Sequence, residues 1–312
     1  MDGEECRPMT GTGGSKEDGY LMEVARRRSV RENIGWLRRN LAPIRVIYTD
    51  MDGTLVGPLG CFFRDSEWKL TTKPAHALLA ALSRNVDVML VSGRHKSQLR
   101  ESARLLGINN YIAELGTEIV YGLGAEVIEN IGSLEKTCPS VYETITDTGV
   151  VDLLLKSYPL KLEMHTPWSE ERDCTPLLRG NVDLDGVRKL LDENGFAQFE
   201  LIDNGVIPRK SPTLDVPMTR VYHLVPGGVR KDRAVVTDQE HRNLRREETV
   251  AVGDAEADLG FGAVTGAFFM VRNGLINNPH LAEAIDRSEN VFVTEGEMGL
   301  GWAEVVETVL NL

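Results

Sequence analysis

Three apolar runs constrain this chain more than any other feature: IRVIYT (44–49), VDVMLVS (86–92) and TVAVG (249–253). Each is short, nearly free of polar residues, and followed within a loop's length by a helical stretch. PAHALLAALSRN follows the first, HKSQLRESARLLG the second, and EADLGFGAVTG the third, after which FFMV gives a further strand. Strands that are apolar throughout are buried on both faces, and their alternation with helices belongs to a parallel sheet covered on both sides. The expected fold class is therefore α/β, with a Rossmann-like parallel sheet.

A chain of 312 residues exceeds what one hydrophobic core usually holds, so a second globular unit is expected. The rhythm changes accordingly between residues 122 and 222. VYETITDTGVVDLLLKSY reads as a helix, KLEMH and TPLLRG as strands, DLDGVRKLLDENG as a helix, and AQFELID, GVIPRK and RVYHLV as strand material. The expected organisation is a core of residues 43–121 and 223–312 with an inserted α+β unit at 122–222, preceded by residues 1–42. Of these last, 1–19 read as a disordered tail, rich in Gly, Ser, Thr and charge. LMEVARRRSVRENIGWLRRNL reads as one amphipathic helix, with Val30, Ile34, Leu37 and Leu41 on its apolar stripe and Pro43 ending it. Its arginines could contact an acidic partner or membrane surface; a solvated face on a docked helix is the alternative.

The first apolar run ends in Asp50, with Asp52 two residues later. Side chains i and i+2 of an extended chain point the same way, so two carboxylates converge past a strand's carboxyl end, where open α/β sheets hold their ligands. Gly53 permits a sharp turn and Thr54 supplies a hydroxyl. The segment is not a calcium loop, because Leu55 and Cys61 occupy the positions where such a loop needs Gly and Glu. A plain polar turn is the other alternative, and the remaining segments argue against it. The second run ends in Ser92, a small donor suited to a phosphoryl oxygen, followed by Gly93. The third ends at Gly253 and Asp254, with Asp258 one helical turn on. Lys231, in PGGVRKD at an expected helix N-terminus, supplies a cation for phosphate.

A net charge of −12 argues against a nucleic-acid-binding surface and means that an anionic substrate must be drawn in locally. Cys6, Cys61, Cys138 and Cys174 form no C-x-x-C pair, so neither a zinc site nor a disulfide framework is expected. No stretch approaches the ~18 apolar residues of a membrane span, and MDGEECRPMT is not a secretory signal. The expected location is the cytoplasm.

Taken in order, Asp50-Met-Asp52-Gly-Thr-Leu, Ser92-Gly-Arg, Lys231 and Gly-Asp254-Ala-Glu-Ala-Asp258 resemble the four motifs of the haloacid dehalogenase superfamily phosphatases, over roughly residues 44–275. The α+β insert between Ser92 and Lys231 is similar to the type IIB cap, as in Cof-type, sucrose-phosphate and mannosyl-3-phosphoglycerate phosphatases. The resemblance implies a magnesium-dependent phosphomonoester hydrolase acting on a small phosphate ester, a sugar or polyol phosphate. Asp50 would be the nucleophile that forms an aspartyl-phosphate, and Asp52 the acid and base. Magnesium would be held by Asp50, the Asp52 carbonyl and Asp254, with Asp258 anchoring a metal-bound water or Lys231. Thr54, Ser92, Gly93 and Lys231 would surround the phosphoryl oxygens.

Ala257 departs from the Asn common in type IIB members, which implies the loss of a supporting hydrogen bond. Glu114-Leu115-Gly116 stands where many relatives have Glu-Asn-Gly, and the loop VGPLGCFFRDSEWKLTTK is long for the branch. Asn273 follows the strand FFMV, as an asparagine does in Cof-type relatives; a turn residue is the alternative.

In the cap, His165 and Trp168 form a candidate sugar-binding wall, with an edge-of-core reading beside it. Arg209 and Lys210 are candidates for a second anionic group, or solvated turn cations. Arg172, Arg179, Asp203 and Asn204 complete its polar candidates. His76, His95, His223, His241 and His280 show no ligand spacing and read as structural. Two other functions compete: a phosphomutase of the phosphomannomutase type, and a non-catalytic binding protein on the same scaffold.

Overall fold

In the computed structural model, residues 16–170, 172–207 and 211–312 are described. Of the expected tail at 1–19, residues 1–15 with Cys6 lie outside them, as do the candidates Arg209 and Lys210, whereas 16–19 are not tail but the start of the helix Lys16–Arg27. The first strands are β1 (Val46–Thr49), β2 (Asp87–Val91), β3 (Tyr111–Ala113), β4 (Glu118–Tyr121) and β5 (Glu126–Glu129). Four more follow: β6 (Leu162–Met164), β7 (Leu177–Gly180), β8 (Phe199–Ile207) and β9 (Thr219–Pro226). The chain ends with β10 (Thr249–Gly253), β11 (Ala267–Met270) and β12 (Val291–Val293).

Eight strands form one sheet in the order β12-β11-β10-β1-β2-β3-β4-β5. It is parallel from β12 to β3 and ends in antiparallel β4 and β5. Alternate residues explain the two layers: Ile47, Leu90, Val250 and Val252 pack with Ala77, Leu78, Leu99 and Trp302, while Tyr48, Met89, Ala251 and Phe268 pack with Ala234 and Val235. From β1 the chain winds outward through β2 and β3, then returns to β10 on the other flank of β1. This reversal opens a crevice at the carboxyl ends of β1 and β10, where Thr49 stands beside Val252.

The second sheet is antiparallel, in the order β6-β7-β9-β8, and packs on the helices Val141–Asp147, Val150–Ser157 and Leu184–Glu193 around Val141, Leu154, Leu191 and Leu224. The chain thus has the expected α/β core and α+β cap. The large sheet continues through β5 beyond residue 121, and β9 carries the small sheet to Pro226. No helix among the described residues is long and apolar enough to cross a membrane.

Two expected single helices are broken. At 141–157 the break falls at Gly149, whose φ of +83° starts a second helix. In the N-terminal segment, helices Lys16–Arg27 and Ile34–Asn40 are separated by a stretch that pairs with β12: Val30 N–H donates to Val293 O (3.1 Å) and Val293 N–H to Arg28 O (2.8 Å). An unpaired β12 would leave a bare sheet edge, and the ladder contact outweighs continued helix there. Val24, Val30 and Leu37 are fully buried, each contributing roughly 1.5–3 kcal/mol, and Trp36 lies 5.2 Å from Phe292, ring to ring. Arg26, Arg31, Arg38 and Arg39 are exposed, while Arg27 pairs with Asp286 at 2.5 Å.

Candidate active site

Asp50 follows β1 and is buried at the crevice floor. Lys231, the first residue of helix Lys231–His241, donates from Nζ to Asp50 Oδ1 (2.6 Å) and to Asp258 Oδ1 (2.9 Å). Asp258 is wholly buried, and its Oδ2 accepts from the backbone N–H groups of Asp254 (3.2 Å) and Ala255 (3.1 Å). Thr54 Oγ1 donates to Asp254 Oδ1 at 2.8 Å, joining the loop after β1 to the loop after β10. Gly53 has to be glycine: its φ is +82°, and a Cβ would lie 2.5 Å from Asp254 Oδ2.

Asp50, Asp254 and Asp258 thus present carboxylate oxygens within 4.8 Å of one another. Burial pushes Asp50 well above the usual carboxylate range; Lys231 opposes the shift, while Asp258 and Asp254 add to it. Burial, then repulsion by Asp258, pushes Asp254 up to about 7. Burial acts against the charge of Lys231, but Asp258 and Asp50 hold its ammonium above its ordinary value. Two buried carboxylates and the half-buried Asp254 beside one ammonium leave an excess of negative charge. This hard-oxygen donor set fits a divalent cation of the magnesium type.

Asp52 points elsewhere. Its carboxylate is 53% exposed and accepts from Arg94 Nε (2.7 Å) and Nη2 (2.5 Å), a two-pronged pair. Sequence reasoning assigned Arg94 no role, although an arginine directly after Ser92-Gly93 was the available signal. Ser92 is buried at the end of β2, and its Oγ accepts from Arg94 N–H at 3.2 Å.

Asn273 does not face the cap. Its Nδ2 donates to Gly53 O (2.9 Å) and its Oδ1 accepts from Met298 N–H (2.8 Å), so it braces the turn that carries Asp52. Ala257 is exposed and Asp258 is held by backbone N–H groups instead.

The cap reaches the core through a residue the sequence placed only near a departure from the family pattern. Glu114 is fully buried in a left-handed turn, with φ of +47° followed by +59° at Leu115. Its Oε2 accepts from Thr175 N–H and Oγ1, both at 2.7 Å, and from Cys174 N–H at 3.3 Å, while Asp173 N–H donates to Oε1 at 3.3 Å. Beside it, His95 Nε2 lies 3.2 Å from Asp173 Oδ2, and Lys96 Nζ lies 2.7 Å from Glu118 and 3.0 Å from Asp173. Arg172 Nη2 donates to Gly93 O at 2.9 Å. Asn204 lies on Gly93, where a Cβ would come within 2.6 Å of its Nδ2.

Two clefts flank this seam. One, of about 350 Å³, is lined by Glu200, Asp203, Asp232 and Glu256 together with Arg230 and Lys231. The other, of about 290 Å³, joins Gly93, Arg94 and His95 to His165, Trp168, Arg172, Asn204 and His223. His165 is half-buried, and burial followed by Arg179 and Arg172 lowers its basicity; Trp168 is 57% exposed. Arg179 pairs with Glu163 at 2.6 Å and Asp203 with Arg220, so neither is free for a ligand. His223 sits 3.1 Å from Thr175 Oγ1.

The model of a family described as haloacid dehalogenase-like hydrolase matches residues 47–158. Comparison with curated protein sequences gave no match. Among solved structures, a Thermoplasma acidophilum protein aligns with a TM-score of 0.59 at 17% identity, covering 87% of this chain and 100% of its own. A phosphatase of the haloalkanoate enzyme superfamily from Bacteroides thetaiotaomicron aligns at 0.58 with 15% identity, covering 85% and 95%. The sucrose-phosphatase of Synechocystis sp. PCC6803, solved with sucrose and phosphate, aligns at 0.55 with 16% identity, covering 86% and 98%.

Proposed function

We propose that this chain, whose residues 47–158 match a haloacid dehalogenase-like hydrolase family and whose parallel core carries an α+β cap of the type IIB kind, is a phosphatase that cleaves small phosphate monoesters, of sugars or polyols, through an aspartyl-phosphate on Asp50. The observation that carries this reading is the placement of Asp50: on the floor of the β1/β10 crevice, hydrogen-bonded to Lys231 and facing Asp254 and Asp258.

In this reading Asp50 attacks phosphorus as the bond to the leaving oxygen breaks, and Asp52 gives that oxygen its proton. Asp52, then a carboxylate, takes a proton from the water that attacks the aspartyl-phosphate, which frees Asp50 and inorganic phosphate. Lys231, Thr54, Ser92 and the N–H groups of the Met51–Thr54 turn hold the phosphoryl oxygens. Asp50, Asp254 and the Asp52 carbonyl would hold magnesium, with Asp258 behind them; bound there, it supplies the positive charge that keeps Asp50 ionised and offsets the phosphoryl charge. Arg94 sets the direction of the Asp52 carboxylate, and Asn273 secures the turn below it. The cap, roughly 122–222, shields the site from water. A cytoplasmic location belongs to the same reading and is supported by Cys61, Cys138 and Cys174, which form no disulfide among the described residues.

The test is phosphate release from a panel of sugar, polyol and aryl phosphates with magnesium, with chelator, and with Asp50→Asn. Release that requires magnesium and vanishes in the variant is the expected result. Folded protein that releases phosphate from no ester, or equally well in Asp50→Asn, overturns it.

A further inference from the structure

The two clefts at the cap–core seam differ in charge. The 350 Å³ cleft carries four carboxylates, and its cations are already paired: Lys231 with Asp50 and Asp258, Arg230 with Glu200. Beyond Lys231, these carboxylates disfavour a second anionic group there. The 290 Å³ cleft has Glu170 as its one carboxylate among the described residues, and Arg94 and Arg172 in its wall. It also adjoins the chemistry, because Gly93 follows the phosphate-binding Ser92 and Arg94 holds Asp52, the residue that would protonate the leaving oxygen.

Arg172 is 7% exposed. Its Nη2 donates to Gly93 O (2.9 Å) and its Nε to Thr175 Oγ1 (3.2 Å). Glu114 Oε2 pairs with the guanidinium through Nε at 3.4 Å. Nη1 has no acceptor among the described residues. A buried guanidinium with spare donors, in a cleft also lined by Asn204 and His165, is suited to a charged, oxygen-rich group. Arg94 adds a reason for charge on the ligand. Its pair with Asp52 is an ion pair only while Asp52 is ionised, whereas the first step needs Asp52 to carry a proton. A substrate anion that takes over Arg94 releases Asp52 for that task.

We propose that this cleft receives the alcohol part of the substrate and that Arg172, with Arg94, binds a second anionic group on it, so that the substrate is a phosphate ester bearing a carboxylate or a second phosphate. This rests on the phosphatase reading above and names the substrate class for the same site.

The test compares esters matched in skeleton: glycerol 3-phosphate, 3-phosphoglycerate and propane-1,3-diol bisphosphate, with phenyl phosphate as the control for chemistry. The wild-type protein is expected to favour one or both doubly anionic esters over glycerol 3-phosphate by more than about tenfold in kcat/KM. In Arg172→Gln kcat/KM for the favoured ester is expected to fall at least about tenfold, mainly through KM, so that the preference disappears, as for removal of one partner of a buried charge pair. Which ester is favoured separates the carboxylate from the phosphate. Phenyl phosphate turnover without any preference in the wild type overturns this inference alone, and so does a preference that survives in Arg172→Gln. No turnover of phenyl phosphate overturns the phosphatase reading and this inference with it. Should Arg172→Gln not fold, inhibition of wild-type phenyl phosphate hydrolysis decides: glycerate is expected to compete at least tenfold better than glycerol, and equal competition overturns the inference.

Discussion

At the end of β1, Lys231 is bound side chain to side chain to Asp50 and Asp258, and Thr54 to Asp254, while the Asp254 N–H joins the two sets at Asp258; these residues end adjacent strands or begin the helices after them. At the seam a short way off, Glu114 holds the cap by its backbone, through the N–H groups of Asp173, Cys174 and Thr175. Chemistry at the first place depends on which atoms each side chain carries. The second needs only a carboxylate of the right length, since every residue but proline has a backbone N–H. Substitutions should therefore act differently at the two places, on activity first at the strand ends and on cap placement first at the seam.

The largest expected effect is that of Asp50→Asn. Losing the nucleophile should reduce kcat by at least about 10⁴-fold, as removal of nucleophiles elsewhere does. The same substitution should leave the melting temperature unchanged or raise it, because burial already works against the Asp50 charge. A variant that keeps more than about 1% of wild-type kcat would place the nucleophile elsewhere. Lys231→Met comes next. It leaves Asp50 and Asp258 buried without their ammonium, and breaking a buried pair in this way costs about 3–5 kcal/mol. Denaturant melts should show that loss, and Asp50→Asn in the same chain should recover part of it.

How much of this was legible in the sequence follows the same division. Asp50, Ser92 and Asp254 were readable because each ends an apolar run, and parallel strands bring their carboxyl ends to one edge of the sheet. Lys231 and Asp258 needed the order of the motifs as well, since a lone lysine or aspartate carries no such signal. The seam was largely hidden. Glu114 bonds to residues 59 to 61 positions away and Arg172 to a carbonyl 79 positions away, and no periodicity reports such contacts. Asn273 was found by its place after β11, but its two bonds to Gly53 and Met298 make it a brace. The break at Arg28–Val30 was missed because helical spacing runs through it, and only the pairing with β12 overrides it.

At the seam, Glu114→Gln should act in the opposite sense to Asp50→Asn. An amide keeps the shape but gives up the charge that strengthens the bonds from Thr175 N–H and Oγ1. Stability should fall by about 1.5–3 kcal/mol, the range for hydrogen bonds to a charged group. Turnover of phenyl phosphate, which asks little of the cap, should fall less than about tenfold. Should Glu114→Gln reduce kcat as deeply as Asp50→Asn with stability intact, Glu114 would belong to the chemistry and the contrast would fail.

The smallest effect distinguishes the two regions within one titration. Asp254, in the crevice, and Glu118, at the seam, are both pushed by burial up to about 7, the former from 3.8 and the latter, against the pull of Lys96, from 4.5. A carboxyl whose folded pKa is raised contributes stability that is complete below its unfolded value and is lost as pH rises to the folded one. The metal-free protein should therefore lose stability between about pH 4 and pH 7, with a fall in melting temperature of about 2–4 °C per kcal/mol lost for a chain of this size. Magnesium should reverse the part that comes from the crevice, where it would pair with ionised Asp254, and leave the part that comes from Glu118, which is bonded to Lys96 at 2.7 Å. Melting curves across that range, with magnesium and with chelator, should diverge as pH rises. Glu118→Gln should remove the residual slope that magnesium does not, and Asp254→Asn the difference between the two curves. A pH-independent gain from magnesium would mean that the ion is bound away from Asp254, at carboxylates that are already ionised.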